Sequence, residues 1–167
     1  MKPEPLRIAP RSLDAFIDDV RRHGRRDRET GGFFLTPPED RDVTVVALAG
    51  THGIDRAYGR FVIGLQAIDK AFAYAEERGL QVRAMLHSHP RGAFLSCTDL
   101  RHSLRVPGFV NAVVPTFAEP PTDPSLWGWW QYDDDWSSCA PPVTDPACPK
   151  AAVITFDAEG VREVHGY

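Results

Sequence analysis

The sequence has little cysteine, no long apolar run and no excess of positive charge, and each shortage removes a class of function. Its three cysteines, Cys97, Cys139 and Cys148, are an odd number and include no Cys-x-x-Cys zinc pair. Their spacings match no disulfide framework, and a Cys139–Cys148 bridge has no support beyond nearness in the chain. Met1 to Pro10 is broken by Pro3 and Pro5 and holds no apolar stretch, so neither a secretory signal nor a membrane span is expected, and cytoplasmic residence is the default expectation. The net charge of -4 gives no general attraction to nucleic acid or to an anionic membrane. Several enzyme signatures are missing too. There is no His-Glu-x-x-His, no P-loop and no dinucleotide-binding glycine pattern, and a zinc deaminase fails for want of His-x-Glu and Pro-Cys-x-x-Cys.

What remains is an ordinary globular composition, 167 residues with 43% hydrophobic and 25% charged, a size that suits one domain over 1–167. No internal repeat is present. Leu13, Phe16, Ile17 and Val20 fall at i, i+3, i+4 and i+7, which predicts a helix opened by Ser12 and ended near Gly24. Gly31 to Leu35 and Val43 to Leu48 read as neighbouring strands separated by Pro37-Pro38, and Phe61 to Ile63 as another short strand. Leu65, Ile68, Phe72 and Ala75 mark a second helix that stops at Gly79. Leu80, Val82, Ala84 and Leu86 then alternate with Gln81, Arg83 and Met85, as in a strand with one buried face, and run directly into His87. A third helix begins at Ser96. Phe109 to Val114 and Leu126 to Tyr132 are further strands, and Ala151 to Phe156 with Val161 to His165 form a terminal hairpin around Asp157 to Gly160. Segments 115–125 and 133–149, rich in Pro, Asp, Thr and Ser, read as surface loops.

The chemistry is concentrated in His87-Ser88-His89-Pro90-Arg91-Gly92-Ala93-Phe94-Leu95-Ser96-Cys97-Thr98-Asp99. Residues two apart on a strand share a face, so His87 and His89 can offer two imidazoles to one ion. Asp99 in the first turn of the following helix could add a third ligand, which leaves one tetrahedral position open as catalytic zinc requires. Blander readings exist for both parts. A His-x-His pair need not bind anything, and Ser96-x-x-Asp99 is also a helix capping box. Capping and ligation are compatible, since Ser96 can satisfy the helix end while Asp99 reaches the ion.

These residues resemble the JAMM metallopeptidases, the metal-binding branch of the MPN domain family in its prokaryotic JAB-like form, whose signature is an upstream glutamate followed by His-x-His-x7-Ser-x-x-Asp. Glu29, just before Gly31-Gly32-Phe33-Phe34-Leu35, looks like the family's glutamate at a helix-to-strand junction. One departure stands out: six residues, Pro90 to Leu95, separate His89 from Ser96, where the family has seven. Strict spacing would put Cys97 in the serine's place and Leu100 in the ligand's, and leucine cannot bind zinc, so the shortened register is preferred.

The resemblance implies an α/β fold, a single MPN-like domain in which a curved mixed β-sheet packs against helices. It also implies one zinc ion per chain on His87, His89 and Asp99, with Glu29 as general base and Ser96 as oxyanion donor. The substrate it implies is a ubiquitin-like or sulfur-carrier protein, cut after its C-terminal Gly-Gly. The alternative is a protein-binding MPN scaffold with weak or no catalysis. Other features read more simply. Arg21, Arg22, Arg25, Arg26 and Arg28 suit the C-terminal end of a helix dipole rather than nucleic acid. Trp127, Trp129 and Trp130 suit core and cover rather than base stacking. His23, His52, His102 and His165 have no partner at ligand spacing.

Overall fold

The computed structural model describes residues 3–167. In chain order the elements are β1 (Arg7–Ile8), α1 (Asp14–Gly24), β2 (Gly31–Thr36), β3 (Val45–Ala49), β4 (Ile54–Ala57), β5 (Arg60–Ile63), α2 (Leu65–Glu77), β6 (Gln81–Ser88), α3 (Cys97–His102), β7 (Val110–Val114), a 3-10 turn (Pro124–Leu126), β8 (Gly128–Asp133), β9 (Asp135–Ser138), β10 (Val143–Thr144), β11 (Ala152–Asp157) and β12 (Gly160–Val164). Eight strands form one mixed sheet in the order β12-β11-β3-β2-β6-β7-β8-β9, while β4 and β5 form a separate hairpin and β1 pairs with β10. Within the eight-stranded sheet the joins β11–β3 and β6–β7 are parallel and the others antiparallel.

Both faces of this sheet are covered, which explains why Gly31 to Thr36 reads as an unbroken buried run without alternation. On one face Phe16, Ile17 and Val20 of α1 pack with Phe34, Val46, Leu86, Trp127 and Trp129. On the other, Ala67, Ala71 and Ala75 of α2 pack with Phe33, Leu35, Ala47 and Phe156. A register shift between Phe34 and Leu35 interrupts the β2–β6 ladder and bends the sheet there.

Several expectations need correction. Ser12 does not cap α1: Leu13 holds that position without a side-chain bond, and Ser12 Oγ instead accepts from Ala151 N at 3.0 Å, tying the helix entry to the last hairpin. The second helix forms where expected, but its buried stripe is Ala67, Ala71 and Ala75, and Leu65 is 79% exposed. Small side chains let the helix lie close to the sheet, which turns the larger ones outward. Strand β6 is central, between β2 and β7, so Gln81, Arg83 and Met85 are half-buried instead of solvated. Segment 133–149 is more than loop, since it carries β9 and β10, and segment 115–125 reaches the core through Phe117. The tryptophans behave as expected, with Trp127 and Trp129 buried and their rings stacked at 5.8 Å. All three cysteines are free. No helix among the described residues is long and apolar enough to cross a membrane.

Candidate metal centre

The site lies where three separate pieces of chain meet at the end of β2 and β6. Antiparallel register sets Gly31 against His87, and continuing it two residues sets Glu29 against His89. Alternation then puts Glu29, His87 and His89 on one face, with Thr30 and Ser88 on the other. Gly31 is required here, because a Cβ would lie 2.1 Å from the Leu86 carbonyl oxygen and 2.7 Å from Phe61 Cε2. Its absence lets β6 approach and lets the β4–β5 hairpin lay Phe61 against the site. The hairpin is held at the base of Glu29, whose N–H donates to the Ala57 carbonyl at 2.9 Å.

The shortened loop from Pro90 to Leu95 still delivers Asp99. Its backbone is anchored by Thr116 N–H donating to Arg91 O at 3.0 Å and Phe117 N–H donating to His89 O at 3.1 Å. Phe94 packs edge-on against the His89 ring, with centroids 4.8 Å apart. Ser96 then caps α3 in a full capping box: Asp99 N–H donates to Ser96 Oγ at 3.1 Å, and Ser96 N–H donates to Asp99 Oδ2 at 2.8 Å. Capping thus aims Asp99 at the histidines, so the cap leaves this side chain placed where it could also reach an ion. Ser96 Oγ accepts at the cap, so its own hydrogen stays available to a neighbouring acceptor.

His87, His89 and Asp99 form the one group of three metal-ligating side chains found among the described residues. The two Nε2 atoms are 3.0 Å apart, His87 Nε2 is 3.1 Å from Asp99 Oδ1, and His89 Nε2 is 3.2 Å from Asp99 Oδ2. Ligand atoms on a tetrahedral zinc, at bonds of 2.0–2.1 Å, stand about 3.3 Å apart, and each of these separations is near that size, with a different Asp99 oxygen facing each histidine. The tautomer fits as well. His89 Nδ1–H donates to the Gly92 carbonyl at 3.1 Å, which turns Nε2 toward His87 and Asp99 as the nitrogen that can ligate a cation once it has given up its proton. His87 Nδ1 is buried without a partner among the described residues, so Nε2, 3.1 Å from Asp99 Oδ1, is the ring nitrogen that takes part in the cluster.

Charge reinforces the arrangement. Burial pushes the Asp99 carboxyl up, but hydrogen bonds from His87 and His89 and from Ser96 N–H outweigh it and hold it far below the ordinary carboxylate range. Burial pushes His89 down, yet Asp99 and Glu29 outweigh it and raise its affinity for positive charge. Glu29 is 4% exposed and stands outside the triad. Burial raises its pKa from 4.5 to about 7, with His89 opposing and Asp99 adding to the shift. Glu29, His89, Ser96 and Asp99 line one cavity of about 430 Å³ together with Tyr58 and Phe61. The hairpin wall was not foreseen from the sequence, because Phe61 lies far from Glu29 along the chain and meets it only through the fold.

Solved structures share this architecture. Protein DSY2949 from Desulfitobacterium hafniense is 16% identical with a TM-score of 0.64, over 86% of this chain and 94% of that one. A protein from Salinibacter ruber is 25% identical with a TM-score of 0.52, over 86% and 95%. A family model described as prokaryotic homologs of the JAB domain matches residues 11–128, a stretch that includes Glu29, both histidines, Ser96 and Asp99. The chain belongs to the family of prokaryotic homologs of the JAB domain.

Proposed function

We propose that this protein is a zinc-dependent peptidase or isopeptidase that cuts after the C-terminal Gly-Gly of a ubiquitin-like or sulfur-carrier protein. The observation that carries the reading is the cluster of His87, His89 and Asp99, two members of which line one cavity with the buried Glu29 carboxyl. Zinc, when bound, supplies Lewis acidity to the scissile carbonyl and to the attacking water. His87, His89 and Asp99 hold it. Glu29 takes the water's proton and returns it to the leaving amine, and Ser96 Oγ–H donates to the oxygen on which negative charge develops. Tyr58, Phe61 and Phe94 narrow the cavity, which favours an extended tail with small residues at the scissile end. The β4–β5 hairpin has no third strand among the described residues, so a tail can add its backbone beside it.

The test is mass spectrometry of a ubiquitin-like or sulfur-carrier protein extended beyond Gly-Gly, incubated with zinc-loaded protein. Cleavage after the second glycine is expected, slowed strongly when either glycine becomes Val. Glu29→Gln should keep zinc and fold but lose roughly 100-fold to 10,000-fold in rate, because an amide cannot accept the proton. Equal cleavage of Gly-Gly and Val tails, or full activity in Glu29→Gln, refutes the reading. The second reading, a protein-binding scaffold without catalysis, draws on the loop between His89 and Ser96 that is one residue short. It is favoured if wild type binds the tail-bearing protein, holds zinc and cuts nothing.

A further inference from the structure

Ser88 stands between the two histidines and is wholly buried on the reverse face of β6, where its hydroxyl faces away from the metal triad. It is bonded instead to the residue that follows Glu29. Thr30 N–H donates to Ser88 Oγ at 2.9 Å, Ser88 Oγ–H donates to Thr30 O at 3.3 Å, and Ser88 N–H donates to the same oxygen at 2.9 Å. Thr30 is also wholly buried. Its Oγ1 donates to Asp19 Oδ2 of α1 at 3.3 Å and accepts from Arg56 Nε of β4 at 3.1 Å. The Arg56 guanidinium continues to the Gly50 and Ala49 carbonyls, each at 2.6 Å, at the end of β3.

The position of this staple gives it meaning. The regular β2–β6 pairing ends at Gly31 and His87, yet Glu29 and His89 lie two residues past that end. Strand ends fray where pairing stops, and the extra side-chain bonds fall at the step between the last ladder pair and the pair that carries chemistry. We propose that Ser88 and Thr30 are positioning residues for the metal centre: their mutual hydrogen bonds, anchored by Asp19 and Arg56, lock β6 to the entry of β2 and hold both histidines and Glu29 in place. The inference rests on the metal reading of the triad and not on the peptidase reading.

The test measures zinc affinity of the full chain by competition with a chromophoric chelator, together with the visible spectrum of the Co²⁺-loaded protein and its melting temperature. Ser88→Ala should weaken zinc binding about 10- to 100-fold, the range for residues that orient metal ligands, and change the cobalt spectrum. Ser88→Thr, which keeps the hydroxyl, should restore both. Thr30→Val should weaken zinc in the same direction by a smaller factor, and it carries the test if Ser88→Ala does not fold, because the bonds of Ser88 to the residue-30 backbone survive. A purely structural hydroxyl would lower the melting temperature and leave zinc affinity and the cobalt spectrum as in wild type. That result, or a wild type without zinc affinity, overturns the proposal. Wild type that binds zinc and cuts no Gly-Gly tail refutes the peptidase reading alone, since the metal readouts still decide this one.

Discussion

Gly31→Ala is the substitution for which the structure sets the sharpest consequence. The added Cβ would lie 2.1 Å from Leu86 O, 2.7 Å from Phe61 Cε2 and 3.0 Å from His87 Cα. Two of those atoms are backbone of β6, which cannot swing aside as a flexible side-chain tip could. Overpacking a well-filled interior typically costs 1–3 kcal/mol, and a backbone clash puts this site near the upper end, about 3 kcal/mol. For a chain of this size roughly 2–4 °C is lost per kcal/mol, so the melting temperature should fall by about 6 to 12 °C. Relief requires β6 to move away at His87, so zinc affinity should fall in the same variant. Gly59→Ala is the control, because nothing lies within 4 Å of a Cβ there, and its melting temperature should match wild type. Differential scanning calorimetry and elemental analysis make both measurements. If Gly31→Ala melts within about 1 °C of Gly59→Ala, the close approach of β2, β6 and the hairpin is wrong.

Elemental analysis should find one zinc per chain, lost in His87→Ala, His89→Ala and Asp99→Ala; Asp99→Ala holding zinc as tightly as wild type would remove the aspartate from the site. Stripping zinc should lower the melting temperature by roughly 5 to 10 °C relative to protein with free zinc at a hundred times its dissociation constant, where binding contributes about 2.7 kcal/mol. Asp157 gives a pH dependence far from the metal. Burial pushes its carboxyl up, but N–H groups of Glu159, Thr51 and His52, with Arg162, outweigh it and hold its pKa below the ordinary value. Its contribution is therefore present above the unfolded carboxyl pKa and lost as pH falls through the lower folded value. Asp157→Asn should be less stable than wild type at pH 7, by about 1.5–3 kcal/mol for a charge-assisted bond, and the gap should close in acid denaturation curves. A gap that stays constant with pH would show that the charge has no part in it.

Much of this was readable because apolar period and turn residues mark the extent of most elements that pack on the sheet, although in α2 they point to the wrong face. The helix ending at Gly24, the strand running into His87 and the cap at Ser96 each carry their own signal. Strands β4, β9 and β10 carry none. Ile54-Asp55-Arg56-Ala57 and Asp135-Trp136-Ser137-Ser138 are half-polar and exist through backbone pairing with a neighbour, which composition does not register. Ser12 misled for a related reason, since a hydroxyl before a helix signals a cap only if no distant N–H claims it, and Ala151 does. In the site, residue types announced the triad. The roles of Ser88 and Thr30 depend on which residue of β2 faces which residue of β6, information held in register and not in either segment alone.

Strand β3 owes one of its two neighbours to β11, which pairs with it in parallel and buries Ile154 and Phe156 to 1% and 0% exposure. The stretch that matches the family model stops at residue 128, at the start of β8. A fragment trimmed to that boundary would lack β11 and leave Val45–Ala49, five apolar residues in a row, with a bare row of backbone donors and acceptors. Such a row is a template for edge-to-edge association between molecules. With the whole chain, the outermost strand on that side is β12, whose Arg162 and Glu163 are exposed and resist docking by another strand. The last hairpin thus acts as a guard against self-association as well as a part of the core.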